Sequence, residues 1–99
     1  MSKYDLHPTR AGKSYLLDLQ TDLLEVQRTR MMVPVLPAQE VPQRVKALHP
    51  MIDVEGERFV LATHLMGAVP LSLLLPPIGN LSDRADEFTR AINLLFQGY

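Results

Sequence analysis

Residues 81–99, LSDRADEFTRAINLLFQGY, are the stretch that most limits what this chain can become. Leu81, Ala85, Phe88, Ala91, Ile92 and Leu95 recur at spacings of three and four. That spacing predicts an α-helix with one apolar stripe, leaving Arg84, Asp86, Glu87 and Arg90 on its other faces. Asn80 or Ser82 can cap its start through a side-chain oxygen, and Asp83 suits the positive end of the helix dipole. Phe88, Ile92 and Leu95 are therefore expected in the core. The ending is different in kind: Phe96-Gln97-Gly98-Tyr99 places two aromatics past the point where packing demands them. A packing account makes Gly98 the C-cap and tucks Tyr99 against the body; the other account leaves a contact surface at the helix tip.

Everything before this helix reads as short strands. Tyr4, Asp5 and Leu6 suggest a short edge strand ended by His7-Pro8. Residues 14–21 alternate, with Tyr15, Leu17 and Leu19 on one side and Asp18 and Gln20 on the other, which predicts a half-buried strand. Leu23 and Leu24 then fall in a connection that should be polar, where an apolar pair is more often a core plug than a contact surface. Residues 31–36 form the next strand, and Pro34 inside it demands an edge or a bulge, because proline lacks the N–H that a ladder uses. One of Met31 and Met32 should be core, although a methionine pair can also serve as an adaptable contact. Residues 37–49 read as loop with at most one helical turn, given Pro42. Residues 51–54 and 57–63 form a hairpin about Glu55-Gly56, where Gly56 supplies the positive φ. A connector at residues 65–68 leads to a last strand at 69–75, stopped by Pro76-Pro77. Several short antiparallel strands followed by one helix predict a mainly β fold, a curled sheet or small barrel with the helix packed on it.

At 99 residues the chain is expected to be one domain spanning 1–99. Folding would bury roughly 60–65% of its surface. Ten Lys and Arg against eleven Asp and Glu give no field of one sign to attract nucleic acid or an anionic membrane. With no cysteine, disulfides and thiolate metal sites are excluded and a reducing cytoplasm is the expected location. No apolar run is long enough to span a bilayer or to form a signal core, so no membrane association is expected.

Sites of chemistry are conspicuously missing. Gly12-Lys13-Ser14 looks like the tail of a phosphate loop, but His7 stands where the leading glycine belongs and no helix follows. His7, His49 and His64 have no metal-ligand spacing and read as surface or cap residues, so no metal or other cofactor is expected. No serine sits in a nucleophile elbow. Asp53, Glu55 and Glu57 crowd like charges at a solvated hairpin tip. No catalytic residue emerges, and the periodicities point to a binding module rather than an enzyme.

From Tyr15 onward the chain resembles the CcdB family, the toxin half of a bacterial toxin–antitoxin pair. The likeness runs through LLDLQTDLLE, RMMVPV, HPMIDVEGERFVLATHLMGAVPLSLL and LSDRADEFTRAINLLFQGY, with the A-I-N-L-x-F-x-G ending the most distinctive. The resemblance implies an SH3-like small barrel of curled antiparallel sheet with a C-terminal α-helix. It also implies a homodimer that enters the central cleft of the DNA gyrase A subunit and traps the cleaved DNA complex. A cognate CcdA-like antitoxin would neutralise it by folding a disordered segment onto it, and DNA would be met only indirectly, through the antitoxin complex that controls the operon. The gyrase-binding residues map onto Leu23, Leu24, Asn93, Phe96, Gln97, Gly98 and Tyr99.

One departure from the family pattern matters. The defining member ends Trp-Gly-Ile, with its tryptophan on a gyrase arginine; here Gln97 and Tyr99 stand in place of the tryptophan and isoleucine. Glutamine has no π-face, so that cation–π contact cannot form. Two alternatives follow. One is a degenerate toxin that binds its antitoxin and regulates its operon without poisoning gyrase. The other is a ribonuclease toxin of related fold, which would need a basic groove and a general base beside an arginine. The apolar surface of residues 31–36 and 69–75 exceeds what one helix covers, which also predicts a dimer.

Overall fold

A computed structural model describes residues 2–10, 12–24 and 27–98, with the side chain of Leu24 left out. The strands are β1 (Asp5–Pro8), β2 (Tyr15–Asp18), β3 (Thr29–Pro37), β4 (Met51–Val54), β5 (Glu57–Leu61), β6 (Gly67–Pro70) and β7 (Gly79–Asn80), followed by α1 (Ala85–Gln97). All join one antiparallel, seven-stranded sheet in the order β4-β5-β3-β2-β1-β7, with β6 also paired to β3. The expected mainly β architecture, a curled antiparallel sheet of SH3-like barrel type with a C-terminal helix, is present.

The sheet curls because β3 serves three neighbours. Along one edge it pairs with β2, from Tyr15↔Val35 to Asp18↔Met32. Along the other it pairs first with β6, from Thr29↔Pro70 to Met32↔Gly67, and then with β5, from Val35↔Leu61 to Pro37↔Phe59. Pro34 lies at that change of partner. Its missing N–H costs no ladder bond there, while its carbonyl accepts from the Ala62 N–H at 2.8 Å. The expectation of an edge or bulge is thus replaced by a gap between two partners. The β4–β5 hairpin turns on Glu55 (φ 51°) and Gly56 (φ 82°), both left-handed, as a two-residue loop with the native strand twist requires.

Several boundaries differ from expectation. The strand expected at 69–75 ends at Pro70, and Leu71–Leu73 is a 3₁₀ turn. Its pairing partner β3 begins at Thr29, opposite Pro70, so no strand is available beyond that register. The N-terminal strand is interior rather than edge, because β7 pairs on its far side. The helix starts at Ala85 instead of residue 81, after a 3₁₀ turn at Ser82–Arg84. Asn80 Oδ1 accepts from the Ser82 N–H at 2.9 Å just ahead of that turn, but the N-cap residues, Leu81 of the turn and Arg84 of α1, make no side-chain cap, so neither expected capping residue caps the helix itself. Gly98 does close the helix, at φ 80°, with its N–H on the Leu94 carbonyl.

The core joins Leu6, Leu17, Val33, Val35, Ile52, Val54, Phe59, Leu61 and Phe88. Phe88 and Ala91 are the helix residues that bury fully; Ile92 and Leu95, expected beside them, are half-buried. Phe88 packs on Tyr4 with ring centroids 5.8 Å apart. Arg84 clamps the helix to the free edge of β4: its Nη2 donates to the Met51 carbonyl, the guanidinium is paired with Glu87 at 2.8 Å, and it lies 5.7 Å from the Phe88 centroid.

Asp18 overturns its expected orientation. Alternation assigns it to the solvent side, yet it is 0% exposed, paired at 2.7 Å with Arg30, itself 1% exposed. Oδ2 also accepts from Arg30 Nε at 2.9 Å, and Oδ1 accepts from the Gln20 N–H at 2.9 Å. Burial pushes the Asp18 carboxyl upward, against the pull of the Gln20 N–H and of Arg30. Removing one member strands the other without its counter-charge. Asp18→Ala should therefore lose about 3–5 kcal/mol of unfolding free energy in urea titrations. Phe88→Ala should cost a similar amount, about 3–5 kcal/mol.

Candidate partner-binding surface

The expected contact residues occupy two elements. Leu23 lies in a 3₁₀ turn, Asp22–Leu24, between β2 and β3 and is 90% exposed. The turn is tied from below. Asp22 Oδ1 accepts from the Lys3 N–H at 3.0 Å and from Arg30 Nη2 at 3.3 Å. Arg30 Nη2 also donates to the Gln20 carbonyl at 3.1 Å, and the Leu23 N–H donates to Thr21 Oγ1 at 3.4 Å. A buried guanidinium thus anchors a loop whose leucine is held out in solvent.

The second patch is the last turn of α1. Asn93, Phe96 and Gln97 are all exposed, Phe96 at 70%. At 100° per residue Asn93 and Gln97 lie on the side away from Phe88 and Ala91, while Phe96 lies on the flank, about 80° round from Phe88. The helix thus has two aromatic-bearing faces, one buried and one bare. Gly98 follows in the left-handed conformation and redirects the chain. Tyr99 and the side chain of Leu24 lie outside the described residues. The structure thereby gathers Asn93, Phe96 and Gln97 on one surface, with Leu23 on a separate loop.

Sequence reasoning missed a histidine pair. His49 is buried rather than superficial, and His64 is exposed beside it, with rings 4.8 Å apart and edge to face. His49 Nδ1 accepts from the Val45 N–H at 2.9 Å, which puts its proton on Nε2. Nε2 then donates to His64 Nδ1 at 2.8 Å. The pair closes the loop after β3 onto the Thr63–Leu65 turn, beside a cavity of about 300 Å³ that Glu40 and Gln43 also line. Both acceptor lone pairs are engaged, so neither ring offers a free base. His7 is buried too, with Nδ1 on the Leu75 carbonyl at 2.7 Å. Fifteen residues separate His49 from His64, and no local spacing announces their contact.

Arg44, Lys46 and Arg90 line a cleft between that loop and α1. Among the described residues no group of three or more metal-binding side chains converges, and no helix is long and apolar enough to cross a membrane.

A model of the CcdB protein family matches residues 3–98. Among solved structures, the Mycobacterium tuberculosis toxin MazF-mt6 superposes with a TM-score of 0.75 at 16% identity, covering 93% of this chain and 95% of that one. At that identity the likeness speaks to the fold alone.

The histidine pair gives the fold a pH dependence of definite sign. Burial, then the charges of His64 and Arg44, holds the His49 imidazole below its ordinary value of 6.5. The neutral ring is the folded form, so its contribution is complete above pH 6.5 and is lost as pH falls toward the depressed folded value. Urea unfolding between pH 7 and 5 should show stability falling with acid, and His49→Gln should flatten that slope relative to the parent.

Proposed function

This chain belongs to the CcdB family of toxins from toxin–antitoxin modules, and we propose that it acts by poisoning DNA gyrase. In this reading, the tip of α1 enters the cleft of the gyrase A subunit and traps the cleaved DNA complex in the cytoplasm. The carrying observation is the bare face of the last helical turn. Phe96 is 70% exposed there, beside Asn93 and Gln97, on the same helix whose Phe88 is fully buried. An apolar ring held in water on a rigid helix suits an anchor that fills a pocket in a partner. Leu23 supplies a second anchor, with Leu24, Gly98 and Tyr99 completing the surface that the family pattern assigns.

Family membership implies an antitoxin partner. A homodimer presents the helix tips in pairs, and the surface supports one. Met31, Leu65 and Leu73 are exposed, and among the described residues β6 pairs with β3 along one edge and with no strand along the other. The protein acts as a binding poison and not as an enzyme.

An RNA-cleaving toxin is the second reading, favoured by one observation: Arg44, Lys46 and Arg90 line one cleft, with Glu87, which is paired with Arg84, also on its wall, and a cluster of cations is what such an enzyme needs. Its weak point is the base, since the lone pairs of the neighbouring His49 and His64 are already committed. Incubation with single-stranded RNA separates the two, because specific cleavage would favour the enzyme.

In a cleavage-complex assay with the gyrase A subunit of the same organism, the protein should accumulate linear DNA. Its absence at every toxin-to-gyrase ratio favours the degenerate toxin. Gln97→Trp should raise affinity for a gyrase presenting an arginine, by a factor of about two to thirty from a contact of roughly 0.5–2 kcal/mol. Phe96→Ala should lower it with little change in melting temperature. Sedimentation at micromolar concentration should give twice the mass of the chain, and a strict monomer would rule out the paired mode of entry.

A further inference from the structure

The Leu23 turn and the C-terminal helix stand on separate elements, yet one line of hydrogen bonds joins them. It runs through both main-chain groups of Lys3. The Lys3 N–H donates to Asp22 Oδ1 at 3.0 Å, under the turn that carries Leu23. The Lys3 carbonyl accepts from Asn80 Nδ2 at 3.0 Å. Asn80 Oδ1 in turn accepts from the Ser82 N–H at 2.9 Å, at the 3₁₀ turn that leads into α1. Each end is fastened again: Asp22 by the buried Arg30 at 3.3 Å, Asn80 by Asp5 Oδ1 at 2.9 Å. Neighbouring main chain runs parallel to this line, the Leu81 N–H donating to the Tyr4 carbonyl at 2.9 Å.

Neither polar side chain is needed to build the core. Asp22 is 51% exposed and Asn80 is exposed; Arg30 keeps its counter-ion in Asp18 without Asp22. What these two side chains do is fix one loop and one helix root to the same three-atom span of backbone. We propose that Asp22 and Asn80 are positioning residues that hold the Leu23 turn and the root of the C-terminal helix in fixed relation through Lys3, so that the contacts on both elements meet a partner together. This inference rests on the gyrase reading for the identity of the partner, but the tether itself does not.

The test uses the full chain and the gyrase A subunit. Asp22→Ala and Asn80→Ala should each weaken binding about three- to tenfold, in line with loss of one or two hydrogen bonds that hold a geometry, while melting changes little. Asp22→Asn should bind like the parent, since an amide oxygen still accepts from both donors. Asp22→Ala combined with Leu23→Ala should be no weaker than Leu23→Ala alone, because the first change acts through the second. Parental binding by Asp22→Ala, additive losses in the double variant, or an Asp22→Asn protein as weak as Asp22→Ala would each overturn the proposal. A readout free of gyrase separates the two ideas: ¹⁵N heteronuclear NOE values at Lys3 and residues 22–24 should drop in free Asp22→Ala. If the parent protein fails to bind gyrase A, the gyrase reading falls. The tether then stands on a drop in these values and is overturned if they are unchanged.

Discussion

Arg30 inside the sheet is the constraint from which much of the remaining architecture follows. A guanidinium cannot shed its charge, so burying it obliges the chain to bring acceptors to it. Asp18 Oδ2 on β2 meets both Nε and Nη2, and the Gln20 carbonyl and Asp22 Oδ1 gather on the same Nη2. Lysine is not an equivalent, because its single ammonium lacks the rigid pair of nitrogens, Nε and Nη2, that Arg30 presents to Asp18. Such a pair is a poor source of net stability, since desolvation offsets most of the attraction. Its effect is geometric. It locks β2 to β3 at the Asp18↔Met32 end of their ladder and sets the path of the chain as it leaves the sheet at residue 18.

That ion pair also marks where the sequence stops being readable. Helical periodicity is local, so the stripe containing Phe88 and Ala91 could be found from spacing alone, as could the Glu55-Gly56 hairpin. Alternation along residues 14–21 gave the strand but sent Asp18 outward, because a binary pattern treats any carboxylate as solvated. The correction required Arg30, twelve residues away. Strand ends fail for a related reason. The length of β6 is set by where β3 begins, and the two-residue β7 exists only because β1 offers it an edge. The candidate surface was legible in a different way. Phe96 stood out as an aromatic past the point where packing demands one; Leu23 read from its connection as a core plug, and only the family resemblance made it a contact, yet both are exposed in the structure. The His49–His64 contact left no such trace, since each residue looks ordinary in its own neighbourhood.

The two faces of α1 separate the residues that folding buries from those it leaves bare. Phe88 and Ala91 commit one face to the core, and Arg84 fixes the helix to the β4 edge. By the last turn the helix has run past the sheet's demands, and Asn93, Phe96 and Gln97 sit in solvent with no packing to satisfy. Substitutions there leave core volume and buried polar groups untouched, which are the usual routes to large destabilisation. A family can therefore exchange a tryptophan for Gln97 without endangering the fold.

The same separation bears on how such a surface changes partners. A cation–π contact asks only for a cation over a ring, whereas a glutamine asks for donors and acceptors at hydrogen-bond distance. Replacing one with the other turns a tolerant contact into a directional one. Directional contacts reward accurate placement and penalise a misfit, because an unpaired amide in a desolvated interface costs free energy. If the tip is the contact surface proposed above, Gln97 makes affinity depend more on how rigidly the helix is held and less on aromatic area. The Asn80 bond to the Ser82 N–H at its entry, an Arg84 clamp and a left-handed stop at Gly98 hold it in place. Under that proposal, having glutamine rather than tryptophan at 97 shifts the demand from the contact residue to the scaffold beneath it.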